Sequence, residues 1–223
     1  MKSFLLCYIA DRQQLRSVSL TAVIRETLRA GVDMVQIREK DLAIRELIAL
    51  VEKALSAARE PGKGFEEGTC GPGPSEPLAR ASVLVNDRLD VALAAGAQGV
   101  HLGTRSMPVQ VVRRIAPRPF VLGVSCHSLS EAMAAESGGA DYLVLGPVFE
   151  TPSKLGYGPP LGLETLRKTA AQITIPVLAL GGITVERVRP CLEAGASGIA
   201  GIRIFQDCDS VQERVRELRA LLK

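Results

Sequence analysis

The segment GGADYLVLGPVFETPSK, residues 138–154, carries the features that decide the fold. Its glycine pair follows a segment suited to a helix, and an apolar run of strand length, residues 142–145, comes next. A short apolar run bounded by turn-forming residues predicts a buried strand. The loop after it carries Thr151, Ser153 and Lys154, whose hydroxyl and ammonium groups can donate to an anion. The alternative interpretation of this loop is a solvated turn.

The start of this segment is one of four similar stretches along the chain. The other three are AGVD at 30–33, AGAQ at 95–98 and AGAS at 194–197. Each stretch places a glycine where a helix should end and a strand should begin, as a left-handed helix cap requires. The repeated change from helix to strand indicates βαβ units.

Apolar runs suited to strands alternate along the chain with amphipathic segments suited to helices. Strands are predicted near residues 4–10, 33–37, 82–86, 99–102, 120–124, 141–145, 175–180 and 198–202. Helices are predicted near residues 18–30, 42–59, 88–95, 108–115, 129–137, 162–171, 184–194 and 210–222. This alternation predicts a parallel sheet. Eight such units in a chain of 223 residues predict a single (β/α)8 TIM barrel, with a doubly wound open sheet as the alternative.

Composition restricts the classes of protein to consider. The chain of 223 residues, 47% of them hydrophobic, fits one barrel domain over residues 1–223. A net charge of +3 and the absence of long apolar runs argue against nucleic acid or membrane as partners. Five scattered cysteines form neither a disulfide pattern nor a zinc pattern. We expect a cytoplasmic protein, with assembly into a homo-oligomer left open, and a flexible Gly/Pro-rich insert at about 61–77.

In a TIM barrel the chemistry takes place at the carboxyl ends of the strands. The second predicted strand ends in QIREK, which places Gln36, Arg38 and Lys40 at that end. If the strand continues, alternation turns Arg38 and Lys40 to the same side. Together with Lys154 they would form an anion pocket, and the alternative is a solvated charge cluster.

Two further strand ends suggest ligand sites. Asn86 and Asp87 could hold a metal ion or cap the following helix, and the cap is the simpler interpretation. The glycine pair after the seventh strand suits a phosphate, because backbone N–H groups can approach an anion there. The alternative is a tight turn that needs positive φ. The predicted phosphate-binding residues are Gly181, Gly182, Ile202 and Arg203.

Both histidines of the chain lie at predicted strand ends. His127 follows Ser125 by two residues, so alternation would turn both side chains to one side, where an imidazole can exchange protons near neutral pH. His101 lies within an apolar strand, and we expect it to be a hydrogen-bonded packing residue. His127 is therefore the predicted catalytic residue.

Seven motifs in order give the chain a resemblance to a known superfamily. They are QIREK, VNDRLDVALAAGAQGVHLG, LGVSCHSLSEA, GGADYLVLGPVFETPSK, GPPLGLETL, IPVLALGGIT and AGASGIAGI. Outside the insert, they span nearly the whole chain. The chain resembles the thiamine phosphate synthase and TenI superfamily, which acts on a thiazole phosphate in thiamine biosynthesis.

The superfamily has two branches that use this barrel differently. The synthase branch joins a pyrimidine diphosphate to the thiazole phosphate, releases diphosphate and uses Mg²⁺. The resemblance implies a diphosphate-binding set of Arg38, Lys40, Asn86, Ser125, Thr151, Ser153 and Lys154. It also makes Asp87 one magnesium ligand, whereas Ser106 stands where that branch has a second carboxylate.

The TenI branch isomerises a thiazole carboxylate phosphate to its aromatic tautomer without a metal. The stretches 125–129 and 148–151 look closer to this branch, and its acid/base histidine corresponds to His127. The predicted function is therefore a thiazole tautomerase that needs no cofactor and takes a phosphorylated small molecule. The alternatives are a Mg²⁺-dependent thiamine phosphate synthase and a non-catalytic binder of thiamine intermediates.

Overall fold

The computed structural model describes residues 5–15, 19–60, 81–151 and 159–221. Its strands are β1 (Leu5–Ala10), β2 (Met34–Ile37), β3 (Ser82–Asn86), β4 (Gly99–Leu102), β5 (Val121–Cys126), β6 (Tyr142–Leu145), β7 (Val177–Leu180) and β8 (Gly198–Gly201). Its α-helices are α1 (Leu20–Ala30), α2 (Ile44–Arg59), α3 (Leu89–Ala95), α4 (Val109–Ile115), α5 (Leu129–Ser137), α6 (Gly162–Gln172), α7 (Val185–Glu193), α8 (Arg203–Gln206) and α9 (Val211–Ala220). A short 3-10 helix, Arg12–Gln14, follows β1.

The eight strands form a closed parallel barrel in chain order. Each strand pairs with its neighbours in sequence, and β1 closes the circle by pairing with β8 from Leu5 opposite Gly198 to Tyr8 opposite Gly201. The prediction of a (β/α)8 barrel rather than an open sheet is confirmed. No helix within the described ranges has the length and apolar character needed to cross a membrane.

The four repeated stretches have a shared structural role at the amino-terminal face of the barrel. Their glycines adopt left-handed backbone, with φ of 92° at Gly31, 70° at Gly96, 96° at Gly139 and 92° at Gly195. In three of the stretches the last residue is polar, and its side chain accepts a hydrogen bond from a backbone N–H of the preceding strand. The bonds run from Leu6 N to Asp33 (2.6 Å), Val83 N to Gln98 (2.8 Å) and Leu122 N to Asp141 (2.8 Å).

The core lies in two layers. One cluster consists of strand residues alone and fills the inside of the barrel; its members are Cys7, Ile9, Met34, Leu84, Tyr142, Val144, Leu178 and Ala200. Two larger clusters combine strand and helix residues, and they pack the outside of the sheet against the surrounding helices. Most strands therefore bury side chains on both of their faces.

The structure adds details that periodicity does not predict. The helix α8 and the 3-10 helix span four and three residues, which is too short for a helical pattern to show in the sequence. The strand β5 continues to Cys126, two residues beyond its predicted end. The predicted insert at 61–77 lies outside the described residues.

Arg113 on α4 connects several chain segments at the amino-terminal face. Its guanidinium donates to the backbone oxygens of Gly139 (2.9 Å) and Phe120 (2.8 Å) and forms an ion pair with Asp141 (2.5 Å). We expect Arg113→Ala to lower the free energy of unfolding by about 3 kcal/mol, because a largely buried carboxylate and carbonyl groups lose their partner. Urea denaturation measures this loss.

Arg118 provides a matched control because it contacts the same carboxylate from the surface. Its side chain is 66% exposed and lies 3.0 Å from Asp141. Arg118→Ala should cost about 0.5 kcal/mol or less, as exposed ion pairs usually do. Equal losses for the two variants would contradict the buried role of Arg113.

Candidate active site

A cavity of about 400 Å³ opens at the carboxyl end of the barrel. Every strand contributes a residue to its lining, in the order Ile9, Gln36, Asn86, His101, Ser125, Val144, Leu180 and Ala200. The positions lie at matching heights, since Asn86 is opposite His101 and Ser125 is opposite Val144 in the sheet register. Together these side chains form the floor of the cavity.

The floor has a polar half and an apolar half. The strands β2 to β5, which are adjacent in the barrel, contribute an amide, a second amide, an imidazole and a hydroxyl. The strands β6, β7, β8 and β1, which are also adjacent, contribute only aliphatic side chains. A ligand in this cavity would meet hydrogen-bonding groups on one side and an aliphatic wall on the other.

Cationic side chains lie above the polar half. Arg38 follows β2, lines the cavity and forms an ion pair with Asp11 at 2.5 Å. Lys40 does not line the main cavity but a smaller one of about 210 Å³, which Arg38 also lines. The positive charge of Arg38 lowers the pKa of Lys40. Three carboxylates also line the smaller cavity, and each is paired with an arginine; they belong to Asp11, Glu39 and Asp41. An anionic ligand on this side would therefore meet Arg38 and Lys40 beside carboxylates that already have cationic partners.

The loops after β7 and β8 lie above the apolar half. They contribute the predicted residues Gly181, Gly182, Ile202 and Arg203, all of which line the cavity. The two glycines have φ of 97° and 62°, so a left-handed backbone is required there. The exposed Arg203 adds positive charge on this side.

Arg187 on α7 supports the same loop and lines the cavity as well. It donates to the carbonyl oxygen of Gly182 at 2.7 Å, and its guanidinium lies 4.7 Å from the centre of the Phe149 ring. The loop after β6 is bonded to the loop after β7 through Phe149 N and Gly181 O at 3.1 Å. The two loops therefore hold each other in place.

His101 is a buried part of the cavity floor. Its Nδ1 lies 2.9 Å from the Tyr142 hydroxyl and its Nε2 lies 2.8 Å from Ser125 Oγ. Burial lowers the pKa of His101 to about 3, so the imidazole is neutral at physiological pH. The packing role expected for this residue agrees with these contacts, but the sequence did not indicate that it would border the cavity.

His127 does not belong to the described lining of the cavity. The strand β5 ends at Cys126, so strand alternation does not extend to the next residue. The His127 Nδ1–H donates to the carbonyl oxygen of Gly146 at 2.5 Å. Its backbone N–H donates to Glu131 at 2.6 Å, at the start of α5.

Asp87 lies at the mouth, between β3 and α3, in left-handed backbone with φ of 65°. It is exposed, and within the described part of the chain no hydrogen bond or ion pair occupies its carboxylate. Ser106, by contrast, uses its hydroxyl to accept the Gly103 N–H at 2.7 Å. No group of three or more acidic, histidine or cysteine side chains among the described residues could bind a metal ion alone.

A protein-family model described as thiamine monophosphate synthase matches residues 78–205 of the chain. A putative thiamine-phosphate synthase of Geobacter sulfurreducens is 42% identical over 98% of this chain and 94% of its own length. This chain belongs to the thiamine monophosphate synthase family.

Further comparisons agree with this family. The thiamine-phosphate synthase of a Roseiflexus species is 35% identical over 96% of this chain and 83% of its own length. The solved structure of thiamine phosphate pyrophosphorylase from Pyrococcus furiosus has a TM-score of 0.81, 35% identity and coverage of 99% of this chain and 96% of its own.

These comparisons overturn the predicted function. Relatives that are 35–42% identical over most of the chain are named thiamine-phosphate synthases, and none of these names is a tautomerase. The prediction of a thiazole tautomerase, an isomerase, is wrong. The stretches 125–129 and 148–151, on which that choice depended, do not separate this family member from the synthases.

The structure also locates the remaining predicted residues. Gln36, Asn86, Ser125 and Thr151 line the cavity, whereas Ser153 and Lys154 lie outside the described residues. The sequence analysis missed several further residues of the lining, which are Gln14, Glu150, Thr184 and Arg187. These residues lie in the segments that follow β1, β6 and β7, and this position after a strand is the sequence signal that could have marked them as site residues.

Proposed function

We propose that this protein is a thiamine-phosphate synthase, a transferase that joins hydroxymethylpyrimidine diphosphate to a thiazole phosphate. In this reaction the thiazole nitrogen bonds to the exocyclic methylene carbon of the pyrimidine. The carbon–oxygen bond to the diphosphate breaks, and its electron pair leaves with the diphosphate. The site must therefore bind two anionic groups and two aromatic rings at once.

The observation that supports this proposal is that the cavity has two sides with different linings. One cationic side above the polar half suits the diphosphate, and the glycine-rich side with Arg203 suits the phosphate of the second substrate. The floor between them can contact both rings, through its amides on one half and its aliphatic wall on the other. A binder of one small anion would not need both sides.

Charged and polar side chains would stabilise the diphosphate as it leaves. Positive groups help most where negative charge develops in the transition state. We assign this role to Arg38, Lys40, Asn86, Ser125, Thr151, Ser153 and Lys154. Gly181, Gly182, Ile202 and Arg203 would hold the phosphate of the thiazole.

Gln36 is the candidate for recognising a ring. Its side chain is 2% exposed, and its Nε2 has no hydrogen-bond partner among the described residues. An unpaired buried donor is costly, so a ligand acceptor that fills this position would be favoured.

The residues present fit a magnesium ion that arrives with the diphosphate. Mg²⁺ is usually held by one or two carboxylates together with substrate phosphates. Asp87 offers one free carboxylate at the mouth, so a single carboxylate and the diphosphate oxygens would hold the ion. When bound, the ion would neutralise part of the charge on the departing diphosphate.

Two parallel assays of the purified protein test the proposal. With hydroxymethylpyrimidine diphosphate, thiazole phosphate and Mg²⁺, we expect thiamine phosphate and diphosphate to appear in equal amounts. Chelation should abolish this turnover and added Mg²⁺ should restore it. Product formation at the same rate after chelation would reject the magnesium assignment, and no coupled product under any condition would reject the synthase.

A further inference from the structure

Three polar side chains, two of them buried, form a hydrogen-bonded series that ends at the cavity. The Tyr142 hydroxyl contacts one nitrogen of His101, and the other nitrogen contacts the hydroxyl of Ser125. Tyr142 and His101 are each 2% exposed, whereas Ser125 borders the cavity. Neither Tyr142 nor His101 has a role in the reaction outlined above.

The protonation state of the imidazole limits how this series can be arranged. A neutral imidazole has one nitrogen that donates and one that accepts. His101 is 2% exposed and, within the described residues, its ring nitrogens contact two hydroxyls and no carboxylate, so a charged imidazole would be buried without a counter-ion. In the neutral ring one contact must run toward the ring and the other away from it. The two hydrogen bonds therefore both donate in the direction of Ser125 or both donate in the direction of Tyr142.

The surroundings of Tyr142 decide between the two directions. Within the described residues, His101 is the only hydrogen-bond partner of the Tyr142 hydroxyl. If that hydroxyl accepted from His101, its own proton would remain buried without an acceptor, at a cost. If it donates, the His101 Nδ1 accepts and the Nε2 must carry the proton.

We propose that His101 is a positioning residue: it donates its Nε2–H to Ser125 Oγ and so leaves the Ser125 hydroxyl proton free to bind an anionic oxygen in the cavity. In the opposite arrangement the Ser125 hydroxyl would donate to the imidazole, and it would have no proton left to donate to an anion in the cavity. The identity of the anion as a diphosphate rests on the proposed function.

The packing of Tyr142 supports a fixed direction. Gly123 lies opposite Tyr142 in the sheet, and a Cβ built there would lie 2.2 Å from the tyrosine ring. The ring therefore occupies the space that a side chain at position 123 would need. This packing holds the hydroxyl toward His101.

Nitrogen NMR on histidine-labelled protein tests the direction without any ligand. The chain has only two histidines, and the carbonyl that His127 contacts can only accept, so His127 must carry its proton on Nδ1. At about pH 8, above the ordinary pKa of imidazole, we expect the two histidines to show opposite tautomers. His127→Asn assigns the signals. An Nδ1–H tautomer at His101 would overturn the proposal.

Binding of inorganic pyrophosphate in the presence of Mg²⁺ tests the consequence. Calorimetry should show that His101→Leu weakens binding about ten- to hundredfold, the usual worth of a hydrogen bond to a charged group. Ser125→Ala should lose as much, and the double variant should lose no more than either single one, because the two residues act as a unit. His101→Gln, whose amide can donate near the Nε2 position, should restore most of the affinity.

Tyr142→Phe removes the hydroxyl that fixes the tautomer, and we expect a mixed tautomer and weaker pyrophosphate binding. Tyr8→Phe is the matched control, since Tyr8 is also buried, does not line the cavity, and within the described residues bonds through its hydroxyl only to Gln206. Additive losses in the double variant, or unchanged binding in His101→Leu, would overturn the positioning role. An Nε2–H tautomer in a protein that makes no thiamine phosphate would instead overturn the proposed function alone.

Discussion

The Gly182→Ala protein is expected to lose about a hundredfold in kcat/KM for the thiazole phosphate. The added Cβ would lie 2.5 Å from the carbonyl oxygen of Glu150 and 2.9 Å from the Phe149 Cβ. Both distances are too short, so the loops after β6 and β7 must move apart. A displacement of about 1 Å in a substrate-holding loop can cost about a hundredfold in rate.

This effect would act through the loops and not by filling the space for the phosphate. Phe149 N donates to Gly181 O, and Arg187 donates to Gly182 O, so a shift of Gly182 disturbs both contacts. The loss should appear in the KM and dissociation constant of the thiazole phosphate. Steady-state kinetics and calorimetry with that substrate measure the two quantities.

Gly96→Ala separates backbone strain from the clash. Gly96 has φ of 70°, close to the 62° of Gly182, but a Cβ there would meet nothing within 4 Å. The control variant should lose about 1–2 kcal/mol of stability, as a non-glycine residue in left-handed backbone does, and keep its activity. If Gly182→Ala bound the thiazole phosphate as well as the Gly96→Ala protein, the glycine pair would not belong to the phosphate site.

The barrel could be predicted because its signals are local. Each strand is a short apolar run, and each return from helix to strand carries a glycine and a polar residue. The structure shows why that pair recurs: Gly139 turns the chain, and Asp141 then accepts the Leu122 N–H. The short helix α8 has no comparable local signal, and it was missed.

The orientation of side chains on the strands could not be predicted in the same way. Both faces of a parallel barrel strand are buried, so polar and apolar residues do not alternate clearly along it. Nothing in GVHLG shows that His101 points inward beside Ser125. His127 posed the opposite problem, because alternation was extended beyond the point where β5 ends.

The missing second carboxylate does not separate the two branches, for a chemical reason. Ser106 stands where the synthase branch has that carboxylate, and a neutral hydroxyl is a poorer ligand for Mg²⁺. A diphosphate supplies metal ligands of its own, however, so one protein carboxylate can be sufficient. The absence of a second carboxylate therefore does not argue against a synthase.

Asp87→Asn tests whether that single carboxylate is used. Asparagine also tolerates left-handed backbone, so the φ of 65° at this position should persist. The Asp87 backbone N–H donates to the His101 carbonyl at 2.8 Å and would remain in place. The substitution therefore removes a negative charge with little change in the backbone.

We expect wild-type protein to bind inorganic pyrophosphate more tightly when Mg²⁺ is present, and Asp87→Asn to lose most of this enhancement. The rate of thiamine phosphate formation should fall by about a hundredfold, since a metal ion stabilises the transition-state charge by several kcal/mol. Calorimetric titration of pyrophosphate, with and without Mg²⁺, separates the metal effect from the activity.

Asp90→Asn is the matched control, because Asp90 lies three residues further on, is 62% exposed and already pairs with Arg88 at 2.5 Å. It should keep both the Mg²⁺ enhancement and the rate. The outcome that contradicts the assignment is an Asp87→Asn protein that retains the full enhancement, since the ion would then be held without this carboxylate. A loss of pyrophosphate binding that is equal with and without Mg²⁺ would likewise place Asp87 in a structural role and not at the metal.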